Sequence, residues 1–215
     1  MLKRIFSTEF RDRHRLRWLA FKRFFRRPPV PRNQDGSVNI HLGCGRVDHP
    51  AFINVDVAPF PHIHHIHAVE HLPMFRDATA DLIYVCHCLE HVSFLETEKV
   101  LREWKRVLKP GGTLRISVPD FDCILAIYEA FQHDIAAIEK TLMGGQNYPA
   151  NFHKAVFNHA HLTRLLENTG FVNVRPWTPG SGELTTFNDW SGRSVKVEER
   201  AFPISLNLEA SRPSA

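Results

Sequence analysis

Residues 38–57 read VNIHLGCGRVDHPAFINVDV and hold two short apolar runs separated by nine residues, too few for a full crossover helix. Gly43 and Gly45 follow the first run, and Asp56 lies at the end of the second. In open α/β sheets, ligands bind beyond the carboxyl ends of the strands, where a glycine turn admits a ligand and an acid accepts hydrogen bonds from ribose hydroxyls. The stretch therefore predicts a parallel sheet with a site for a nucleoside-bearing ligand.

Apolar runs alternate with helical patterns along the rest of the chain, which is typical of a sheet built from βαβ units. Strands are predicted at 38–42, 52–57, 63–69, 81–86, 113–118, 171–175 and 204–210. One helix is predicted to begin with a capping box at Ser93, a second to be capped by Asp120, and the last to end at Gly170. The last two strands follow one another without a helix, so we expect an antiparallel hairpin at the sheet edge.

The composition is that of one globular domain with a sizeable core. The chain has 215 residues, 43% of them apolar, with 27 Lys or Arg against 23 Asp or Glu. Fibrous and wholly disordered proteins are excluded, and no apolar run reaches the roughly 18 residues that a bilayer span needs. No secretory signal pattern opens the chain, and the four cysteines lack the spacing of a disulfide framework. We expect reduced thiols and a cytoplasmic location.

Basic charge is concentrated in residues 1–32, which carry eleven Lys or Arg against two acidic residues. Apolar and aromatic side chains are interleaved with these cations, and Pro28 and the prolines after it stop a helix. We expect a basic amphipathic helix that binds an anionic membrane surface through residues 1–27. Packing on its own domain or on a second copy is an equal alternative. Nucleic acid is disfavoured because the rest of the chain is acidic, and a transit peptide is a minor alternative. The globular domain is predicted to span 33–215.

Five histidines lie close together in the sequence, namely His62, His64, His65, His67 and His71. Their rings could converge on a metal ion only if the segment bent, and only Glu70 accompanies them. We therefore expect solvent-facing histidines and no metal ion. Cys86 and Cys88, near the end of the fourth predicted strand, are expected to be buried and inert thiols.

Short motifs follow one another in an order that is more specific than any one of them. They are LGCG (42–45), FINVD (52–56), LP (72–73), DLIY (81–84), HCLEHV (87–92), LREW (101–104), LKPGG (108–112), ISVPD (116–120), GGQ (144–146), HK (153–154), LL (165–166), GF (170–171) and SL (205–206). In this order they resemble the class I S-adenosylmethionine-dependent methyltransferases, of the small type 11-like kind associated with surface-polysaccharide assembly. The resemblance implies a Rossmann-like, seven-stranded, mostly parallel sheet with an antiparallel C-terminal hairpin and helices on both faces.

The resemblance also implies S-adenosylmethionine as the cofactor and assigns residues to it. Relatives commonly place an acid a few residues before Leu-Pro, where it frames the adenine, and this chain has Glu70 near that position. The implied cofactor-binding residues are Gly43, Cys44 and Gly45 beside the methionine portion, Asp56 at the ribose, Glu70 or a backbone group near the adenine, and His87 near the methionine end.

The reaction implied is methyl transfer to a hydroxyl of a sugar or of a surface glycan precursor. Alignment in a dry site supplies most of the acceleration of an in-line displacement, so no metal is required. A base near the hydroxyl is useful, and the candidates are His153, His87 and Asp120. We favour His153 because imidazole titrates near neutral pH, whereas Asp120 is equally placed to cap a helix. His91 is more typical of a structural residue.

Two other functions compete with this prediction. One is a catalytically inactive methyltransferase-like domain that serves as a binding or membrane-docked partner. It would explain why the segment expected to frame the adenine differs from that of relatives, and why the connection between the first two strands is short. Methylation of nucleic acid is disfavoured, because the chain has no Asn/Asp-Pro-Pro-Tyr motif.

Overall fold

The computed structural model of the protein describes residues 28–185 and 187–214. Its strands are β1 (Asn39–Leu42), β2 (Phe52–Asp56), β3 (His65–Ile66), β4 (Ala80–Cys86), β5 (Leu108–Pro119), β6 (Val172–Pro176), β7 (Ser194–Val197), β8 (Arg200–Pro203) and β9 (Ser205–Ser211). Its helices are α1 (Thr97–Val107), α2 (Phe121–Ala130), α3 (Ile135–Met143) and α4 (His159–Asn168), with a 3-10 turn at Leu89–His91. The predicted basic helix, up to residue 27, lies outside the described residues.

Seven strands form one sheet in the order β3-β2-β1-β4-β5-β9-β6. β9 runs antiparallel to β5 and to β6, and the remaining pairs are parallel. The predicted mostly parallel sheet of seven strands is confirmed, as is the antiparallel pairing of the last two predicted strands. The connection from β1 to β2 holds only turns, in agreement with its nine-residue length.

Helix α1 begins at Thr97, so the capping box predicted at Ser93 is wrong. The Ser93 carbonyl accepts a hydrogen bond from the Glu96 N–H at 2.8 Å in a turn that precedes the helix, and the helix has no side-chain cap. The apolar face of α1 is buried as predicted. Trp104 on this face is fully buried and donates its indole N–H to the Val69 carbonyl at 2.8 Å, which ties the helix to the segment after β3.

The two faces of the sheet are covered in different ways. Alternate strand residues such as Ile40 and Ile83 pack against α1 and α4 and form the main core. On the other face, Phe52 and Tyr84 pack against Trp177 and Phe187 from the segment after β6. Because the β1–β2 connection is too short to hold a helix, a loop covers this face instead.

The long segment before β9 has structure that the sequence pattern did not predict. Strands β7 and β8 form a separate antiparallel hairpin. Phe202 of this hairpin and Ile204 pack with Ile124, Ile127 and Ile138 of α2 and α3 in a smaller apolar cluster. Among the described residues, none of the helices is long and apolar enough to cross a membrane.

His41 is an ionisable residue in the core of the loop-covered face. Its ring lies 4.9 Å from the Tyr84 ring and 5.9 Å from the Phe52 ring, measured between centroids. It is 1% exposed, and its Nδ1 has no hydrogen-bond partner among the described residues. Burial, and then the charges of His62 and His49, lowers the pKa of His41 to about 3. The folded protein therefore holds this imidazole neutral.

Replacing His41 by Phe should make the protein less sensitive to acid. The folded-state pKa lies below the ordinary 6.5, so the stability that depends on a neutral His41 is present above pH 6.5 and is lost as the pH falls toward 3. In His41→Phe, the fall of unfolding free energy below pH 6.5 should be shallower by up to about 1.4 kcal/mol per pH unit. Urea titrations at several pH values measure the slope, and the exposed His133→Asn serves as the control. Equal slopes in His41→Phe and wild type would contradict this account.

Candidate active site

Four predicted site residues follow the carboxyl ends of neighbouring strands. Gly43 follows β1, Asp56 ends β2, His87 follows β4 and Asp120 follows β5. These four strands are parallel and adjacent, so their carboxyl ends meet at one edge of the sheet. The topology therefore brings the predicted residues to a common edge.

The two glycines of the turn after β1 have different roles. Both have positive φ, 62° at Gly43 and 55° at Gly45, which side chains rarely adopt. A Cβ at Gly43 would lie 2.5 Å from the Cys88 Sγ, whereas a Cβ at Gly45 would meet no atom within 4 Å. Cys44 between them is buried. Gly43 is thus required for packing, and Gly45 borders open space in which a ligand can approach the backbone.

Asp56 joins the loops that follow β1 and β2. Its Oδ2 accepts a hydrogen bond from the Gly45 N–H at 2.8 Å, and its Oδ1 accepts one from the Ala58 N–H at 2.7 Å. The residue is 8% exposed. Each carboxylate oxygen can accept a further hydrogen bond, which suits a ligand that offers two neighbouring hydroxyls.

Charges of predicted cofactor residues converge on Cys88. Burial raises the pKa of the Cys88 thiol well above its ordinary value, and the charges of Glu90, Asp56 and Glu70 raise it further. Glu70 is half-buried. The charges of Glu70 and Asp56 thus both act on the same thiol.

Tyr148 lies near the same residues and was missed by the sequence analysis. Its pKa is raised by burial and then by the charges of Asp56 and Cys88. Tyr148 belongs to the loop between α3 and α4 and is 47% exposed. The signal in the sequence was weak, because one aromatic residue in a polar loop belongs to no periodic pattern.

His87 is held by its backbone and by its ring. It has a positive φ of 49°, and its N–H donates to the Ser117 carbonyl at 2.8 Å. The Ser205 hydroxyl donates to the Trp190 carbonyl at 2.8 Å, so the His87 Nε2, 2.7 Å from the same hydroxyl oxygen, must carry the proton that it donates. The His87 Nδ1 therefore has a free lone pair, and it lies 3.6 Å from the Glu90 Oε1.

Glu90 lies at the centre of three imidazoles, in what we call the Glu90 cluster, formed by His87, Glu90, His91 and His153. The Glu90 Oε1 is 3.9 Å from the His153 Nε2 and 4.0 Å from the His91 Nε2. Glu90 is 1% exposed, and burial raises its pKa to about 8. Burial also lowers the pKa of His87 to about 3 and that of His153 to about 4. At neutral pH the carboxyl group is therefore mostly protonated and these two imidazoles are uncharged.

The three predicted base candidates separate into two groups. His153 and His87 both face Glu90, although the expectation that His153 titrates near neutral pH is wrong because its ring is buried. Asp120 caps α2, where its Oδ1 accepts from the Asp122 N–H at 3.1 Å and its Oδ2 accepts from the Cys123 thiol at 3.4 Å. The carboxylate of Asp120 is thus engaged at the helix terminus.

The histidines between positions 62 and 71 have separate partners. The His62 Nε2 lies 3.0 Å from the Gly45 carbonyl oxygen, and the His71 Nδ1 lies 3.2 Å from the Glu103 Oε1. The only group of potential metal ligands found in the described ranges, 28–185 and 187–214, is formed by Glu90, His91 and His153. His62 instead supports the glycine turn.

The chain resembles known methyltransferases in sequence. Residues 53–116 match the family described as methyltransferase domain. The ubiquinone/menaquinone biosynthesis C-methyltransferase UbiE of Vibrio vulnificus (strain YJ016) is 40% identical over 73 residues, which are 32% of this chain and 27% of that protein. UbiE of Vibrio campbellii is 30% identical over 121 residues, 53% of this chain and 46% of that protein. The chain thus spans less than half the length of these curated relatives.

Solved structures show the same fold at low identity. A SAM-dependent methyltransferase from Archaeoglobus fulgidus has a TM-score of 0.52 at 16% identity, covering 96% of this chain and 95% of that chain. The Burkholderia thailandensis 1,6-didemethyltoxoflavin-N1-methyltransferase, with bound S-adenosylhomocysteine, has a TM-score of 0.51 at 15% identity, covering 96% and 79%. A Haloferax volcanii structure that contains the Trm112 methyltransferase activator has a TM-score of 0.52 at 18% identity, covering 95% and 93%.

The match of residues 53–116 to the methyltransferase domain family and the fold shared with the solved structures agree with the resemblance to class I S-adenosylmethionine-dependent methyltransferases. The cofactor of this class is S-adenosylmethionine. The narrower prediction of a polysaccharide-associated subgroup has no counterpart in the relatives described above, whose names specify methylation of carbon and of nitrogen.

Replacing Gly45 by Ala should weaken binding of S-adenosylhomocysteine at least about tenfold, because the added methyl group would enter the open space beside the turn. Gly36→Ala is a matched control, since Gly36 also has a positive φ, 75°, and a Cβ there would likewise meet no atom within 4 Å. Both variants should lose about 1–2 kcal/mol of stability to backbone strain, and only Gly45→Ala should lose affinity in calorimetry. Equal affinities in the two variants would place the ligand away from this turn.

Proposed function

We propose that the protein transfers a methyl group from S-adenosylmethionine to an acceptor that binds beside the Glu90 cluster. The observation that carries this proposal is the buried Asp56 carboxylate, bonded to the glycine turn through Gly45, at the edge where β1 and β2 end. We propose that Asp56 binds the ribose, that Gly43, Cys44 and Gly45 border the methionine portion, and that Glu70 lies toward the adenine. His87 lies at the methionine end.

The reaction is an in-line displacement at the methyl carbon. A nucleophilic atom of the acceptor attacks, the bond from sulfur to the methyl carbon breaks, and S-adenosylhomocysteine leaves. Because the attack needs close alignment and exclusion of water, binding geometry contributes much of the rate enhancement. An oxygen acceptor also loses a proton, which a neutral group within hydrogen-bond reach can accept.

His153 is the base that this proposal favours. It is uncharged at neutral pH, because burial lowers its pKa to about 4, so it can accept a proton without first losing one. A pKa this low makes it a weak base, so alignment of the acceptor carries more of the acceleration than proton removal does. His87 donates to Ser205 and is suited to orient the cofactor, while Asp120 is engaged as a helix cap.

The acceptor we propose is a hydroxyl of a sugar or of a glycan precursor, and the support for it is the order of motifs in the sequence. A carbon atom of an aromatic ring is the second candidate, and the matches to the UbiE C-methyltransferases favour it. Both acceptors lose a proton when they are methylated, so the same imidazoles can serve either one.

The proposal predicts different defects for Asp56→Asn and His153→Gln. Asp56→Asn should weaken binding of S-adenosylhomocysteine by about 1–3 kcal/mol, because a charge-assisted acceptor for the ribose is lost. His153→Gln should keep that affinity and lower the single-turnover rate, because it acts on the acceptor. Calorimetry and transfer of a labelled methyl group to nucleotide sugars and to quinone precursors measure the two effects.

Asp35→Asn is the matched control for Asp56→Asn. Asp35 also accepts a backbone hydrogen bond, from the Ser37 N–H at 2.9 Å, and it precedes β1 at the opposite end of that strand. Affinity for S-adenosylhomocysteine should be unchanged in this variant. Binding of the cofactor product without methylation of either acceptor class would favour the inactive binding domain. Failure of Asp56→Asn to weaken binding would remove Asp56 from the site.

We also propose that residues 1–27 bind the surface of an anionic membrane, which would place the protein at the inner face of that membrane. The support is the run of cations interleaved with apolar and aromatic residues in this segment. The alternatives are contact with its own domain or with a second copy.

Deleting residues 1–27 should abolish salt-sensitive binding to vesicles of anionic lipid and leave cofactor affinity unchanged. This truncation keeps Pro29, whose carbonyl oxygen lies 3.0 Å from the His64 Nε2. Vesicle sedimentation at low and high salt measures the binding, and vesicles of neutral lipid are the control. Aggregation of the truncated protein, or a change in its oligomeric state, would instead show that the segment packs on protein.

A further inference from the structure

Three potential metal ligands come together beside the proposed acceptor site. Glu90 and His91 lie in the 3-10 turn after β4, and His153 lies in the segment between α3 and α4. Their ligand atoms all lie within 4.8 Å of one another. Two imidazoles and one carboxylate form a donor set that occurs in proteins as a metal-binding triad with open coordination positions.

The carboxyl group of Glu90 lacks the partners that a buried polar group requires. Glu90 is 1% exposed, and neither carboxyl oxygen has a hydrogen-bond partner among the described residues. Buried polar side chains are nearly always satisfied by protein, water or an ion. A cation bound at this carboxylate would supply the missing partner.

The two imidazoles are oriented as metal-ligating histidines are. The His91 Nδ1 lies 3.2 Å from the Phe152 carbonyl oxygen, and a carbonyl can only accept, so the Nδ1 carries the proton. The neutral His91 ring then carries its lone pair on Nε2, which lies 4.0 Å from the Glu90 Oε1. The His153 ring has hydrogen bonds to backbone groups of Leu142 and Thr141, and its Nε2 faces Glu90. A second hydrogen bond of this kind fixes the tautomer of metal-ligating histidines.

Backbone hydrogen bonds hold the two segments together. The Lys154 N–H donates to the Glu90 carbonyl at 2.7 Å, and the Ala155 N–H donates to the same oxygen at 3.2 Å. The His153 N–H donates to the Met143 carbonyl at 3.1 Å. The ligand atoms around a bound transition metal lie about 3 to 3.5 Å from one another. Side-chain rotations that move these atoms by about 1 Å would bring the three groups to that spacing without moving the backbone.

We propose that Glu90, His91 and His153 bind a divalent ion of the first transition series, such as Mn²⁺, Fe²⁺, Co²⁺ or Zn²⁺. Imidazole ligands favour these ions over Mg²⁺ and Ca²⁺, which prefer oxygen ligands. The proposed site involves residues other than the histidines between positions 62 and 71. The spacing of those histidines led to the expectation that the protein binds no metal ion. The present site was missed because the sequence does not show that His153 lies beside Glu90.

Binding of the ion does not rest on the proposed methyl transfer, but its use there does. In the metal-bound protein, His153 is a ligand rather than a base. An ion with open positions lowers the pKa of a hydroxyl bound to it and holds the acceptor in place. The ion would then activate the acceptor hydroxyl, a role that the weakly basic His153 has in the metal-free protein.

Calorimetric titration of the 215-residue, tag-free chain with Mn²⁺ and with Zn²⁺ tests the site. Wild type should bind one ion per chain at this site. Glu90→Gln, His91→Ala and His153→Ala should each weaken that binding at least about tenfold. Glu90→Gln preserves the shape of the neutral carboxyl group, so it should stay folded. The exposed His133→Asn is the matched control and should bind as wild type does, since Asn tolerates the positive φ of 66° at this position.

Two further readouts separate the site from weak binding at surface histidines. Co²⁺ should show visible absorption of a protein-bound ion in wild type and in His133→Asn, and the absorption should be lost in Glu90→Gln. The ion should also raise the melting temperature of wild type and of the control only. Equal metal affinity in wild type and in all three cluster variants, or no binding by wild type, would refute the site. Titration of the same samples with S-adenosylhomocysteine tests the proposed function separately.

Discussion

The hydrogen bonds of the Asp56 carboxylate organise the edge of the sheet at which β1 and β2 end. One oxygen accepts from Gly45 after β1, and the other accepts from Ala58 after β2. With these bonds the two loops adopt one arrangement, in which the turn leaves space beside Gly45. The buried carboxylate is stabilised by backbone donors, and it keeps acceptor capacity for a ligand. The proposed cofactor site therefore depends on an acid that joins two loops and keeps acceptor capacity for a ligand.

The short connection from β1 to β2 gives the sheet two different faces. Helices α1 and α4 pack on one face, with Trp104 in the main core. On the other face, within the part of the chain that the structure describes, Trp177 and Phe187 of a loop pack onto the sheet. The same loop carries Trp190, whose carbonyl accepts from Ser205 and thereby fixes the proton on the His87 Nε2. The covering of this face and the orientation of a site residue are thus linked.

Burial controls the protonation of the Glu90 cluster. Desolvation raises the pKa of the Glu90 carboxyl to about 8 and lowers that of His87 to about 3, so both groups become less charged at neutral pH. An uncharged cluster avoids the large cost of buried unpaired charge, yet it keeps lone pairs on its imidazoles. A proton from an acceptor, or a divalent cation, can therefore be received at the same group of atoms.

The sequence alone determined the strand order along the chain, the glycine turn, and the positions of Gly45, Asp56 and His87 after strands, because these depend on local patterns and on the geometry of parallel sheets. The partners of each side chain depended on tertiary structure. His153 lies far from Glu90 along the chain, and backbone hydrogen bonds from Lys154 and Ala155 bring the two together. Such contacts, and the burial that shifts the pKa of each group, arise only when distant segments pack. No spacing in the sequence encodes them.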